Sequence, residues 1–173
     1  MRKPAKKLAS EDELYECAVR ALGRRMRSVA ELKRLLRARS SDDAGDAIES
    51  VIERLKQQRY LNDSAYAAAY ASYRRENEKL GQRRVVADLK ARGVHTDVIE
   101  QQVAASYAAC DEQQLARDFL RRKRIAKPSS EREAARTFRT LVRAGFSMRT
   151  ALIILKTWNV DDEVISALET EPE

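Results

Sequence analysis

The sequence has few residues that interrupt a helix. It contains 5 glycines and 3 prolines in 173 residues, and aromatic residues make up only 6% of the chain. Inside a helix, glycine is about 1 kcal/mol and proline about 3 kcal/mol less favourable than alanine. No alternating apolar pattern long enough for a strand occurs either. The scarcity of helix breakers therefore predicts an all-α fold.

Histidine and cysteine are too scarce for the common catalytic and zinc sites. The single histidine is His95, and the two cysteines, Cys17 and Cys110, match no metal-binding spacing. The sequence also lacks a glycine-rich phosphate loop and a Gly-x-Ser-x-Gly nucleophile elbow. A hydrolase is disfavoured because no nucleophile and base can be paired. We therefore expect no catalytic residue, no cofactor and no metal, and we interpret the protein as a binder of a macromolecule.

Long apolar runs are missing as well. No segment approaches the roughly 20 apolar residues of a membrane-spanning helix, and no apolar segment follows the basic residues 1–7. We therefore expect a cytoplasmic protein whose cysteines are reduced, with no membrane partner.

Charge is plentiful and of both signs. The chain has 34 lysines and arginines against 27 acidic residues, which gives a formal net charge of +7. A basic surface attracts phosphates and acidic protein surfaces alike, so the charge alone does not identify the partner.

Apolar residues recur at helical spacing along nearly the whole chain and predict nine helices. The apolar stripe of the first helix comprises Leu14, Ala18, Leu22 and Met26. Ser28 and Glu31 form a capping box that begins the second helix, and residues 40–46 are predicted to form a loop. Three tyrosines are predicted to share a face of the fourth helix: Tyr66, Tyr70 and Tyr73.

Glycine and proline mark the ends of several later helices. Gly93 is predicted to end the fifth helix in a left-handed cap, and Gly145 is predicted to end the eighth helix. Pro128 is predicted to end the seventh helix. The acidic segment 161–168 could add a tenth helix.

Two of the predicted helices repeat one another at an offset of 53 residues. Residues 28–40 align with residues 81–93 without a gap, so that Arg37 matches Lys90. The eighth helix repeats the pattern more loosely, with Gly145 in the place of Gly93. This repetition predicts tandem three-helix units.

The predicted domains are three such repeats between two charged ends. They comprise a basic flexible leader at 1–9, repeats at 10–61, 62–109 and 110–159, and an acidic C-terminal tail at 160–173. One repeat is too small to bury a good core alone, so the repeats are expected to stack into an elongated, curved array. Because the apolar faces are used between repeats, we expect a monomer.

Some basic side chains point away from the apolar faces and form the candidate partner-binding surface. The candidates are Arg34, Arg37, Arg83, Arg84, Lys90 and Arg92. A cation repeated at equivalent positions of successive repeats is what a surface that contacts a long partner would show. An ordinary solvated helix face remains the alternative.

The sequence resembles the RecX family of bacterial recombinase regulators from about Glu13 to Trp158. The resemblance is carried by Glu31-Leu32 with Leu36, residues 58–64, residues 81–94, residues 115–118 and residues 141–146. The chain departs from the family pattern at Leu80, before the second-repeat glycine, and at Ser40, where other repeats end in glycine. Both departures affect local turns only.

The resemblance implies a fold of three tandem three-helix repeats and a partner. That partner would be the RecA protein and its filament on single-stranded DNA, bound along the groove or at the growing end. Filament growth, ATP turnover, strand exchange and repressor cleavage would be restrained, which implies a role in recombination, DNA repair and the SOS response.

The alternative function is an independent nucleic-acid-binding module, in which phosphate contacts supply the affinity. Mixed charge and few aromatic residues argue against stacking on single strands. We therefore expect direct DNA binding to be weak and sensitive to salt.

Overall fold

In the computed structural model, residues 8, 10–41 and 43–170 are described, and they form ten α-helices and no strand. The helices are α1 (Glu11–Arg24), α2 (Val29–Arg37), α3 (Gly45–Gln57), α4 (Asp63–Glu78), α5 (Gln82–Ala91), α6 (Thr96–Tyr107), α7 (Glu112–Arg122), α8 (Glu131–Arg143), α9 (Met148–Thr157) and α10 (Asp162–Glu169). The all-α prediction is confirmed, and α1–α3, α4–α6 and α7–α9 are the three-helix repeats. Apart from Leu8, the predicted flexible leader lies outside the described residues.

The chain divides into two compact units. Unit 1 comprises Met1–Ala67 and Leu89–Ile99, and unit 2 comprises Ala68–Asp88 and Glu100–Glu173. Each unit contains one complete repeat and part of the middle repeat.

The core of unit 1 lies among α1, α2 and α3. Its buried face on α1 consists of Leu14, Cys17, Ala18 and Ala21. Met26, which was predicted to extend this face, is 53% exposed and lies beyond the end of α1. The predicted stripe was therefore wrong at its last member, because α1 ends two residues before Met26.

Two further details of unit 1 concern where α2 and α3 begin. The predicted capping box is confirmed: Ser28 Oγ accepts from the Glu31 amide at 3.1 Å, and the Glu31 carboxylate accepts from the Ser28 amide at 3.3 Å. The helix α3 begins at Gly45, inside the predicted loop, because Ala44 is buried and its carbonyl accepts from Ile48 at 3.0 Å.

The core of unit 2 is built mainly by α7, α8, α9 and α10. Phe119 and Phe146 meet edge to face at 5.7 Å between ring centroids, and Ile165 and Leu168 of α10 are buried in the same cluster. The acidic C-terminal segment thus contains a tenth helix, as the sequence allowed. The three tyrosines predicted to share a face of α4 differ in burial, since Tyr66 is buried and Tyr73 is 57% exposed.

Several helices end in the same hydrogen-bonded turn, with one residue at positive φ. Gly93 and Gly145 adopt φ of 75° and 92°, and Val94 and Phe146 donate back to the carbonyls of Leu89 and Leu141, each at 3.2 Å. These predicted ends are confirmed. The helix α2, which has Ser40 where α5 has Gly93, ends without such a residue.

The helix α7 ends earlier than predicted. Its last residue is Arg122, whereas Pro128 was expected to terminate it. Arg124 adopts φ of 55°, and the Ile125 amide donates to the Leu120 carbonyl at 2.9 Å. A left-handed arginine closes the helix here, so the proline is not what stops it.

Candidate partner-binding surface

The first candidate cations lie on the exposed face of α2, opposite the buried Leu32 and Leu36. Arg34 donates to the Ala30 carbonyl at 3.3 Å and to the Arg92 carbonyl at 3.4 Å. Arg37 is 66% exposed and lies 3.9 Å from Glu49, which Lys33 holds more closely at 2.5 Å. The Arg37 guanidinium is therefore only loosely paired.

Several polar side chains of unit 1 contact the nearly buried carboxylate of Glu31. Its side chain is 11% exposed and lies 2.6 Å from Arg92 and 3.5 Å from Arg25. The Tyr66 hydroxyl donates to it at 3.4 Å, and the Ser28 hydroxyl donates to the Arg92 carbonyl at 2.7 Å. Arg92 thus fastens the start of α2 to the turn after α5. Its guanidinium therefore pairs with a carboxylate of its own unit.

Lys90 occupies the position of α5 that corresponds to Arg37 in α2. It is exposed, and no carboxylate of the described residues lies within 4.0 Å of its ammonium group. Arg37 and Lys90 belong to unit 1, so the structure places the two equivalent cations on the same compact unit.

Arg83 and Arg84 begin the same helix but belong to unit 2. Arg84 lies 3.0 Å from Asp88, which also pairs with Arg74 at 2.5 Å and accepts from the Tyr70 hydroxyl at 3.1 Å. Arg83 is exposed, and its backbone amide donates to the Gly145 carbonyl at 3.2 Å. Arg84 resembles Arg92 in that a carboxylate of its own unit fixes it.

A further set of cations on α8 was missed by the sequence reasoning. Arg132, Arg136, Arg139 and Arg143 are all exposed, opposite the buried Phe138 and Leu141. Their spacing of four, three and four residues places them along one face of the helix. That spacing was visible in the sequence and would have revealed the stripe.

The described residues hold no group of three or more His, Cys, Asp or Glu side chains that could bind a metal ion. The exposed His95 lies 3.5 Å from Asp97, with no nucleophile paired to it in the described contacts. Burial raises the pKa of the Cys110 thiol, which disfavours the reactive thiolate. None of the helices in the described segments is long and apolar enough to cross a membrane.

Comparisons with known proteins all lead to one family. A family model described as RecX, second three-helix domain, matches residues 62–101. The regulatory protein RecX of Mycolicibacterium vanbaalenii is 31% identical, with 79% of this chain and 77% of the relative covered. That of Deinococcus radiodurans is 33% identical, with coverage of 84% and 68%. That of Geobacillus thermodenitrificans is 34% identical over 92% of this chain.

A solved structure shares the fold. The crystal structure of RecX from Lactobacillus salivarius matches with a TM-score of 0.63 at 19% identity, covering 93% of this chain and 97% of that one. The present chain spans 60% and 52% of the length of the relatives from Geobacillus thermodenitrificans and Geobacillus kaustophilus.

Proposed function

Since the chain belongs to the RecX family of regulatory proteins, we propose that it binds RecA and the RecA filament on single-stranded DNA and restrains the activities of RecA. ATP turnover, strand exchange and the stimulation of repressor cleavage by the filament would all be lowered. The protein would act in the cytoplasm as a monomer, by occupying its partner and without catalysing a reaction.

The observation that carries this proposal is the repeated exposed cation on unit 1. Arg37 and Lys90 lie in the last turns of corresponding helices of successive repeats, and neither is held closely by an acidic side chain of the described residues. A filament presents the same surface at regular intervals, so cations at equivalent positions of successive repeats could bind equivalent sites on it. Cations at the rim of an interface act mainly on the association rate.

The other candidates divide into two roles within the proposal. Arg34 lies on the exposed face of α2 three residues before Arg37, and Arg83 is an exposed residue of α5 in unit 2. Arg84 and Arg92 are anchored by Asp88 and Glu31. They would therefore support the surface and make fewer direct contacts with the partner.

The test replaces the two equivalent cations together, as Arg37→Glu and Lys90→Glu. Exposed substitutions usually change stability by less than about 0.5 kcal/mol each, so the helix content should be unchanged. Inhibition of the RecA ATPase on single-stranded DNA should weaken most at low salt and converge on the parent as salt rises.

The matched control carries the same charge change at exposed sites elsewhere, as Arg20→Glu and Arg117→Glu. It should inhibit like the parent. If the Arg37 and Lys90 variant is folded and inhibits as well as the parent at low salt, this face is not the contact surface.

A further inference from the structure

We propose that the groove between the end of α7 and α8 in unit 2 binds a short acidic peptide segment that carries a large apolar side chain. This site shares no residue with the surface assigned to RecA above and does not depend on that assignment. The groove encloses about 480 Å³, a volume typical of ligand sites.

The walls of the groove are held in place at both ends. The α7 end is closed by the left-handed Arg124 and the hydrogen bond from Ile125 to Leu120 at 2.9 Å. At the other end, the Ser129 amide donates to the Glu133 carboxylate at 2.8 Å, and Ser130 caps α8. Residues 126–128 are thus anchored on both sides.

The floor of the groove is largely apolar. Phe119, Ile125 and Pro128 line it together with Thr137, and Phe119 is only 4% exposed. The accessible apolar surface is supplied by the partly exposed Ile125 and Pro128, and it can accept an apolar side chain.

The rim of the groove is basic. Lys123, Lys127 and Arg136 line it, and no carboxylate of the described residues lies within 4.0 Å of the charged groups of Lys127 or Arg136. The Lys123 ammonium lies 5.9 Å above the Phe119 ring. Glu133 is the acidic residue at the rim, and its oxygen already accepts from the Ser129 amide and hydroxyl. Three cations against one carboxylate leave the groove with a net positive charge.

An apolar floor with a cationic rim favours a peptide over a nucleic acid. Proteins that bind single strands present exposed aromatic faces on which bases stack, whereas the Phe119 ring is buried. Recognition of acidic motifs by basic clusters and of apolar anchors by pockets are both common modes of peptide binding.

The experiment measures fluorescence anisotropy with a labelled peptide of about eight residues, DEDFLEDE, and the full chain. Replacing the central apolar pair by Gly-Ser should weaken binding at least tenfold. The double variant Lys127→Ala and Arg136→Ala should weaken binding of DEDFLEDE by a similar factor, with its helix content unchanged.

The control variant, Arg117→Ala and Arg143→Ala, removes the same charge outside the groove and should bind like the parent. Equal binding of the Gly-Ser peptide would overturn the proposal, because charge alone would then explain the affinity. So would an equal loss in both double variants. Binding of an oligothymidylate in preference to the peptide, lost on the Lys127 and Arg136 change, would show a nucleic-acid surface instead.

Discussion

Two glycine backbones in unit 2 approach each other too closely for any other residue. The Gly81 amide donates to the Ala144 carbonyl at 2.9 Å, and a Cβ atom on Gly81 would collide with the backbone of Gly145 and Phe146. Gly145 also adopts φ of 92°, a conformation that side chains disfavour. In unit 1 the turn glycine is crowded by a side chain, since a Cβ on Gly93 would lie 2.5 Å from that of Ala30.

We expect Gly145→Ala to destabilise the protein by about 2 kcal/mol or more. A left-handed residue with a Cβ atom costs roughly 1–2 kcal/mol, and overlap with the Arg84 backbone adds to that. Urea denaturation followed by circular dichroism measures the change.

Gly23→Ala is the matched control, because no atom lies within 4 Å of its added Cβ. Gly23 lies within α1, where alanine is favoured by about 0.5–1 kcal/mol, so this variant should gain stability. A Gly145→Ala protein as stable as the parent would contradict the close packing described here.

Among the helices, α9 begins on a carboxylate supplied by α7. Glu112 accepts from the Ser147 amide at 2.8 Å, the Ser147 hydroxyl at 2.7 Å and the Thr150 hydroxyl at 2.5 Å. Burial acts to raise the pKa of Glu112, but these hydrogen bonds outweigh it and hold the pKa below its usual value.

Glu112→Gln should therefore lower stability at neutral pH by about 1 kcal/mol, since hydrogen bonds to a charged group are worth roughly 1.5–3 kcal/mol and the amide retains part of them. A lowered folded-state pKa stabilises the protein above the ordinary glutamate pKa. That contribution is lost as pH falls through the lowered value.

The stability difference between parent and variant should thus shrink as the solution is acidified below about pH 4.5. Denaturation midpoints at a series of pH values test this expectation. The exposed Glu53→Gln variant is the control and should track the parent throughout. A difference that grows on acidification would rule out the ionised cap.

The spacing of apolar residues was enough to predict that the helices exist. Which face of a helix is buried, and where the helix ends, could be predicted only in part. A step of four residues advances 400°, so each step drifts 40°. Leu22 therefore lies about 80° from Leu14 around α1 and is only half-buried, and Met26 lies beyond the helix. The face actually buried uses steps of three and four, through Cys17 and Ala21. The early end of α7 could not be predicted, because arginine carries no signal for the left-handed conformation of Arg124.

For the molecule as a whole, the repeat made the equivalence of Arg37 and Lys90 visible from sequence alone. The anchoring of Arg92 was not visible, because Glu31 lies 61 residues away and only folding brings the two side chains together. The division into two units that cut through the middle repeat was equally hidden, since it reflects contacts made across the repeats.

The net charge of +7 is spread over many cations that already have acidic partners. Arg20, Arg74, Arg84 and Arg92 each lie within 3.5 Å of a carboxylate. The 27 acidic residues are interleaved with the 34 basic ones, which makes the surface potential patchy. Direct binding to duplex DNA should therefore be weak and should fall with salt.

Each phosphate contact contributes about −0.9 to the slope of log affinity against log salt. If the protein makes about four such contacts, the slope should be about −3.6. Anisotropy of a labelled duplex between about 50 and 200 mM salt measures this slope. The same titration on the RecA filament should leave substantial binding at the upper salt concentration, because protein contacts there do not depend on released counterions. Tight, salt-insensitive binding to bare duplex would favour a dedicated DNA-binding protein over a regulator that acts on the filament.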